Sequence, residues 1–302
     1  MKILDGGPDA SRLNVVLLSE GYTEAERPLF EQHVRQLADV MLKESWYRPG
    51  LLNLHALFVA SRQSARTLKP KAGPLDTAFK AEYGQGTRAA HVISGNDAGA
   101  KQADVNIWDI ERSDFPKHVH VIVLVNCTLY GGKGGGEGGG ICWSYTDKFN
   151  PQRWTACALH EYGHVLGLAD EYGTADGPPL DRTSRTKEPR EPNLTLDPRG
   201  AKWRNLVTGA VEGADGYNRG IYRPTRDCRM RSFAGGFCPV CSDHIRRELE
   251  GYLTEETEPE EPSGGVVRGW IDLKVHGKAL AFPDDSAGAL EAVQWLLRRQ
   301  FG

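Results

Sequence analysis

One segment of the sequence combines residue types that bind metal ions in proteins. His160 and His164 are four residues apart, and Glu161 stands beside the first of them, in the pattern H-E-x-x-H. On a helix, residues at this spacing project from one face, so both imidazoles can reach a single ion. Glu161 then lies beside the open coordination position of that ion. The pattern predicts a metal site, and zinc is the ion most often bound this way.

The residues that follow extend the predicted site. Gly167 can adopt a positive φ without steric cost and end the helix, after which the chain can bring Asp170 back to the same ion. We therefore predict that His160, His164 and Asp170 bind zinc, and that Glu161 acts as a general base toward water. The alternative is an amphipathic helix whose two histidines bind nothing.

The whole pattern, H-E-x-x-H-x-x-G-x-x-D, followed further along by Met230, resembles the metzincins. More narrowly, residues 12 to 250 resemble the IgA peptidase family, metallopeptidase family sixty-four. The stretches that carry this resemblance are Glu20-Gly21-Tyr22-Thr23, Asn126 to Gly132, the metal pattern with its Asp-Glu-Tyr ending, Tyr222-Arg223-Pro224-Thr225, Cys228-Arg229-Met230-Arg231 and Phe237-Cys238-Pro239-Val240-Cys241.

The resemblance implies a zinc-dependent enzyme that hydrolyses peptide bonds in a protein or peptide substrate. It implies an α+β fold with a metzincin-like or zincin-like mixed twisted sheet and a zinc-binding helix. Met230 would form a structural floor beneath the metal ligands. The resemblance does not extend to immunoglobulin as the substrate.

Three tyrosines outside the metal helix are candidates for stabilising an oxyanion or contacting the substrate. They are Tyr172, Tyr217 and Tyr222. A tyrosine hydroxyl can donate a hydrogen bond to developing negative charge, but tyrosines near a cleft also serve as packing or substrate contacts.

A second group of metal-binding residue types lies near the end of the resemblance. Cys228, Cys238, Cys241 and His244 follow the spacing C-x9-C-x2-C-x2-H. This spacing suits a second, structural zinc with Cys3His ligation. One disulfide with a free thiol, or three reduced cysteines in a packed corner, suits it equally well.

Apolar patterning predicts the elements that position these residues. Continuous apolar runs predict buried strands at 13–18, 53–61 and 118–125. A helix follows Thr23, with a capping box at its start and an apolar face formed by Phe30, Val34, Leu37 and Met41. No G-K-[ST] sequence follows the glycine-rich run 131–140 and no helix pattern begins there, so the run does not match a phosphate loop. We interpret it as a flexible loop leading into an exposed edge strand at 141–145, which is available for strand addition by an extended substrate.

The sequence divides into a catalytic domain at 1–253, a linker at 254–265 and an appendage at 266–302. The linker carries five glutamates and two prolines without a basic residue, so it is self-repelling and extended. The appendage has the pattern of a small hairpin followed by one helix, and its role and partner are open. The segment 174–204 is irregular, which inside a compact domain is typical of functional or disordered segments.

Composition excludes several classes of partner. The 302 residues contain 37 Lys and Arg against 40 Asp and Glu, a net charge of −3, so there is no basic excess for nucleic acid. No apolar run is long enough to span a membrane, and the N-terminus lacks the pattern of a secretory leader, although the family resemblance implies secretion.

The leading hypothesis is a zinc metalloendopeptidase. A zinc-bearing interaction module and a hydrolase of non-peptide amides are the alternatives.

Overall fold

The computed structural model describes residues 1–69, 75–83, 93–95, 118–135, 140–173, 180–253 and 272–273. These residues form a mixed α+β structure. Its α-helices are α1 (Arg27–Met41), α2 (Pro151–Val165) and α3 (Pro239–Glu250). Its strands are β1 (Lys2–Leu4), β2 (Leu13–Glu20), β3 (Leu52–Val59), β4 (Ala81–Tyr83), β5 (Ile93–Gly95), β6 (Val119–Val125), β7 (Gly132–Gly134), β8 (Ile141–Tyr145), β9 (Leu180–Arg182), β10 (Val211–Ala214), β11 (Tyr217–Arg223) and β12 (Asp272–Leu273). Short 3-10 turns occupy Asp9–Ser11, Glu24–Glu26, Ala65–Thr67 and Ala201–Trp203.

The main sheet is mixed, with the strand order β1-β3-β2-β6-β8-β7 and β12 added beside β3. The pairs β2 with β3, β2 with β6 and β6 with β8 are parallel, whereas β1 and β7 pair antiparallel with their neighbours. Every residue of β2 and β6 is buried, which agrees with their continuous apolar sequences. The three strands predicted from apolar runs are therefore the centre of this sheet.

Helix α1 begins later than its capping box. The backbone N–H of Thr23 donates to the Glu26 carboxylate at 3.0 Å, and this box closes the short 3-10 turn that precedes the helix. The α-helix itself starts at Arg27, so Pro28 falls in its first turn, where no backbone N–H is needed. Its predicted apolar face, including Phe30 and Leu37, is buried.

The prediction that 141–145 is an exposed edge strand is wrong. All five residues of β8 are buried, and the strand pairs with β6 on one side and with β7 on the other. The outer strand at this end of the described sheet is β7, which consists of glycines and Lys133 from the glycine-rich run. A strand without apolar side chains has no periodic apolar pattern, so β7 could not be predicted from the sequence.

The segment 180–223 forms a second, three-stranded sheet with the order β10-β11-β9. The ammonium of Lys202 donates to the carbonyls of Pro189, Glu191 and Leu194, and the indole N–H of Trp203 donates to Pro192. The described part of the irregular segment is thus held together by side-chain bonds to its own backbone.

The linker predicted at 254–265 lies outside the described residues, and so does the predicted appendage apart from β12. This short strand pairs in parallel with Phe58 and Val59 of β3. Among the helices of the described residues, none has the length and apolarity required to cross a membrane.

Candidate metal centre

Helix α2 carries both histidines and ends in a turn that depends on glycine. The Asn150 side chain caps its start by accepting from the backbone N–H of Arg153. At its end, Gly167 has a φ of +83°, and Leu168 N–H donates to the Gly163 carbonyl while Gly167 N–H donates to His164. This is the Schellman arrangement, and it reverses the chain immediately after the helix.

The reversed chain brings Asp170 against both imidazoles. Its Oδ1 lies 3.1 Å from Nε2 of His160 and 3.2 Å from Nε2 of His164. Donor atoms bound at about 2.0–2.1 Å to a tetrahedral zinc are about 3.3 Å apart, so the three atoms have the separations of ligands that share one ion. The Asp170 Oδ1 atom is buried and has no hydrogen-bond partner.

Hydrogen bonds on the far side of each ring fix which nitrogen faces Asp170. Nδ1 of His160 is 3.0 Å from the Arg229 carbonyl, and Nδ1 of His164 is 2.8 Å from the Leu168 carbonyl. A carbonyl only accepts, so both Nδ1 atoms carry a proton, and in the neutral rings both Nε2 atoms present a lone pair toward Asp170. Three acceptor atoms therefore converge, and such a group requires a positive charge between them.

The electrostatics of the three residues agree with this requirement. Burial alone would lower the pKa of His164, but the Asp170 carboxylate, 3.2 Å from its Nε2, raises that pKa to about 9. Burial alone would raise the pKa of Asp170, but the two imidazoles hold it well below its usual range. Either a proton or a metal ion supplies the positive charge, and the donor set of two imidazoles and one carboxylate fits zinc.

Glu161 lies between the histidines and the glycine-rich strand β7. The Gly134 backbone N–H bonds to its carboxylate, and burial raises the pKa of that carboxylate. A Cβ at Gly132 would come within 2.6 Å of the Glu161 side chain, and one at Gly134 within 1.9 Å of its carbonyl. The glycines of β7 are thus required because this strand passes directly against the metal-binding segment of α2.

Met230 packs beneath the same helix. It is fully buried, and a Cβ at Gly163 would lie 2.6 Å from its sulfur. Its carbonyl accepts from the Glu171 N–H at 2.8 Å, which ties the Met230 turn to the residue after Asp170.

The three candidate tyrosines occupy different surroundings. Tyr172 stacks on the His160 ring, with centroids 5.9 Å apart, and its hydroxyl bonds to the Asp170 carboxylate. Tyr217 packs with Leu194, Ala214 and Ile221 in a small satellite core. The Tyr222 hydroxyl bonds to Glu212. Of the three, Tyr172 is the one that the described contacts place against the predicted ligands.

Asn193, which the sequence did not single out, clamps the chain just before Asp170. Its side-chain oxygen accepts from Ala169 N–H at 2.9 Å, and its amide donates to the Ala169 carbonyl at 2.8 Å. The same amide donates to Glu171 at 3.0 Å. The residue is fully buried, so these bonds are not exposed to competing water. Asn193 therefore fixes the backbone of the residue before the third predicted ligand and the side chain of the residue after it.

We expect Asn193→Ala to weaken metal binding at this centre by about 10–100-fold, the usual cost of losing a group that orients ligands. The measurement is the free zinc concentration that gives half-maximal peptidase activity. Asn218→Ala, an exposed position on β11, is the matched control and should leave this concentration unchanged. An unchanged value in Asn193→Ala, with the fold intact, would contradict the positioning role.

A buried ion pair supports the carbonyl that orients His160. Arg229 pairs with Glu44, and both side chains are over nine-tenths buried. The Arg229 guanidinium also lies 5.6 Å from the Phe237 ring centre. Glu44 follows the end of α1, so no local pattern linked it to the site. It anchors the turn that holds both the Arg229 carbonyl and Met230.

The cysteine group is brought together, but His244 is not part of it. Cys228, Cys238 and Cys241 are buried free thiols, and the fourth member of their cluster is Glu171. Nε2 of His244 instead hydrogen-bonds to the Leu166 carbonyl at 2.7 Å, where it caps the end of α2. His244 is therefore not the fourth member that the Cys3His spacing predicted, and Glu171 lies beside the three cysteines in its place. The disulfide alternative is also not formed, because all three cysteines are free thiols, with the Sγ atoms of Cys228 and Cys241 3.7 Å apart.

Fold and site together define a class of protein. A mixed α+β body presents two histidines of one helix and a following aspartate to a common point, with a glutamate beside them, as metal-dependent hydrolases do. The family model described as IgA Peptidase M64 matches residues 1–210, more than two thirds of the chain and the whole predicted ligand segment. The chain belongs to this family of metallopeptidases and is a peptide-bond hydrolase. A search of curated protein sequences found no match.

Proposed function

We propose that the chain is a zinc-dependent metalloendopeptidase with a metzincin-like catalytic domain over residues 1–253. In this proposal His160, His164 and Asp170 bind the zinc ion and Glu161 is the general base. The observation that carries it is the convergence of two Nε2 lone pairs on the unpartnered Asp170 Oδ1, at 3.1 and 3.2 Å. Membership of a metallopeptidase family supports the same conclusion independently.

The donor set leaves room for catalysis. Three protein ligands are the usual number at a catalytic zinc, whereas a structural zinc is closed by four. When bound, zinc supplies Lewis acidity, which lowers the pKa of a water to about 7 and polarises a substrate carbonyl. Tyr172 holds the Asp170 carboxylate in place through its hydroxyl, so we assign it a positioning role.

Glu161 is suited to move a proton at this centre. It stands between the two predicted histidine ligands on α2 and faces the glycine strand β7, where the Gly134 N–H bonds to its carboxylate. Burial raises its pKa, which brings the group closer to the value of an effective base near neutral pH. In the proposed reaction the Glu161 carboxylate takes a proton from the attacking water and returns it to the nitrogen of the leaving amine.

Substrate recognition is proposed to use the β7 end of the main sheet. With β8 paired on both sides, strand addition by an extended peptide would involve β7. That strand lies directly beside Glu161, so a peptide aligned along it would pass next to the base. Met230 serves as a packed floor beneath the ligands, and together with the H-E-x-x-H-x-x-G-x-x-D pattern it supports the proposed metzincin likeness.

Removal of the metal tests the proposal. We expect a mixed pool of unfolded peptides to be cleaved at internal bonds by the purified chain. Cleavage should stop with 1,10-phenanthroline, persist with the non-chelating 1,7 isomer, and return when zinc is added. Mass spectrometry of the products would report the cleaved bonds. Internal cleavage that resists chelation, or turnover of small amides without any peptide cleavage, would overturn the proposal.

A further inference from the structure

We propose that Glu171, Cys228, Cys238 and Cys241 form a second zinc site, structural in role, at a point separate from the predicted catalytic ligands. The four side chains each offer one donor atom, and these atoms all lie within 4.8 Å of one another. Three thiolates and one carboxylate complete a four-ligand shell, as structural zinc requires. The inference does not depend on the function proposed for His160 and its neighbours.

The measured separations suit a single ion. The Sγ atoms of Cys228 and Cys241 are 3.7 Å apart, and two sulfurs bound to tetrahedral zinc at about 2.3 Å are separated by about 3.8 Å. The Cys241 Sγ lies 3.2 Å from Oε1 of Glu171. A disulfide would require about 2.05 Å between two sulfurs, far less than the observed distance.

One carboxylate oxygen of Glu171, in the same cluster, has no hydrogen-bond partner. Glu171 is fully buried, and its Oε2 has no hydrogen-bond partner. Leaving a buried carboxylate oxygen unsatisfied costs free energy, so a native structure normally supplies a partner. A cation bound among the sulfurs would satisfy it. The Cys228, Cys238 and Cys241 side chains are also buried, which makes the site closed to solvent.

The surroundings favour the thiolate form at Cys238, whereas burial raises the pKa of the Cys241 thiol. The backbone N–H of Cys238 donates to the Cys228 Sγ at 3.3 Å, and that of Cys241 donates to the Cys238 Sγ at 3.5 Å. Cys238 is the N-cap of α3, where the helix dipole favours negative charge. Arg223 adds a positive charge that interacts with Glu171. Zinc binding would release the thiol protons to solvent.

The site would join three segments that also frame the catalytic ligands. Glu171 directly follows Asp170, Cys228 precedes the residue whose carbonyl orients His160, and Cys238 with Cys241 begins α3. A structural ion here would fix the positions of Asp170 and of the Met230 turn relative to each other.

The test uses the full chain, purified without chelators and compared with two double variants. His160→Ala with His164→Ala removes the first site, and Cys238→Ser with Cys241→Ser removes the second. Elemental analysis should give about two zinc ions per chain for the native protein and about one for the histidine variant. Cys127→Ser, a buried cysteine outside the cluster, is the matched control and should keep both ions.

Cobalt replacement gives a readout that does not depend on activity. The histidine double variant loaded with Co2+ should show thiolate-to-cobalt charge-transfer absorption in the near ultraviolet, because only the cysteine cluster supplies sulfur. Absence of that absorption in the folded histidine variant, or a folded histidine variant that carries no zinc, would overturn the proposal, even if the cysteine variant fails to fold. A titration of the unfolded native protein that finds two fewer thiols than the six cysteines of the sequence would do the same, since it would reveal a disulfide.

Discussion

Replacing Glu161 with glutamine is expected to lower the peptidase rate by about two to four orders of magnitude, the usual contribution of a general base. Glutamine has nearly the same size as glutamate and can keep a hydrogen bond with the Gly134 N–H. It cannot take a proton from water. The loss should therefore appear in kcat, with bound zinc and the thermal unfolding temperature close to those of the native chain.

A matched exchange separates this effect from a general change of charge. Glu24→Gln alters an exposed glutamate on the 3-10 turn before α1, where it pairs with Arg27. We expect this variant to keep native activity. If Glu161→Gln retains full activity while loaded with zinc, Glu161 is not the base, and another group must supply the proton transfer.

Replacing Asp170 with asparagine is expected to remove most of the bound metal. The substitution keeps the shape of the side chain but deletes the negative charge that lies 3.1 and 3.2 Å from the two Nε2 atoms. Groups that only orient ligands contribute about 10–100-fold to affinity, so a lost ligand should cost more than about 100-fold. Equilibrium competition with a chromophoric chelator would measure this change, and peptidase activity should fall in parallel.

Asp215 provides the control for Asp170. Its backbone N–H donates to the Asp170 carbonyl, but its carboxylate pairs with Arg185 at 2.7 Å. Its φ of +51° is a conformation that asparagine adopts readily. Asp215→Asn should therefore keep native zinc affinity. An Asp170→Asn protein that binds zinc as tightly as this control would show that Asp170 is not a ligand.

The elements that could be predicted from the sequence are those whose own residues carry the pattern that defines them. The buried strands at β2, β3 and β6 have continuous apolar runs, and α1 has both a capping box and one apolar face. The candidate site is also local in its main part. Its residues lie within eleven positions, and helix geometry with one glycine turn is enough to bring them together.

The end of the sheet could not be predicted, because its outer strand is made of glycine. The sequence explains neither that β7 pairs with β8 nor that it crosses Glu161, since both depend on backbone contacts made across the fold. The glycines have a clear physical reason once the structure is known. A side chain at either Gly132 or Gly134 would collide with α2.

The partners that support the site come from distant positions without a motif. Spacing favoured His244 as the fourth member of the cysteine cluster, because it lies one helical turn after Cys241. The fold uses His244 to cap α2 and supplies Glu171 instead. Asn193 lies in the irregular segment, and its bonds to Ala169 are invisible to periodicity. These choices depend on tertiary packing, not on local spacing.

The central claim is that two imidazoles and one aspartate bind a single zinc ion beside Glu161. Crystals of the zinc-loaded protein, measured on both sides of the zinc absorption edge, test it most directly. We predict an anomalous peak at bonding distance from Nε2 of His160, Nε2 of His164 and the Asp170 carboxylate. Density that shows the Asp170 carboxylate turned away from a bound ion, or no anomalous signal between the two rings in zinc-loaded crystals, would contradict the account.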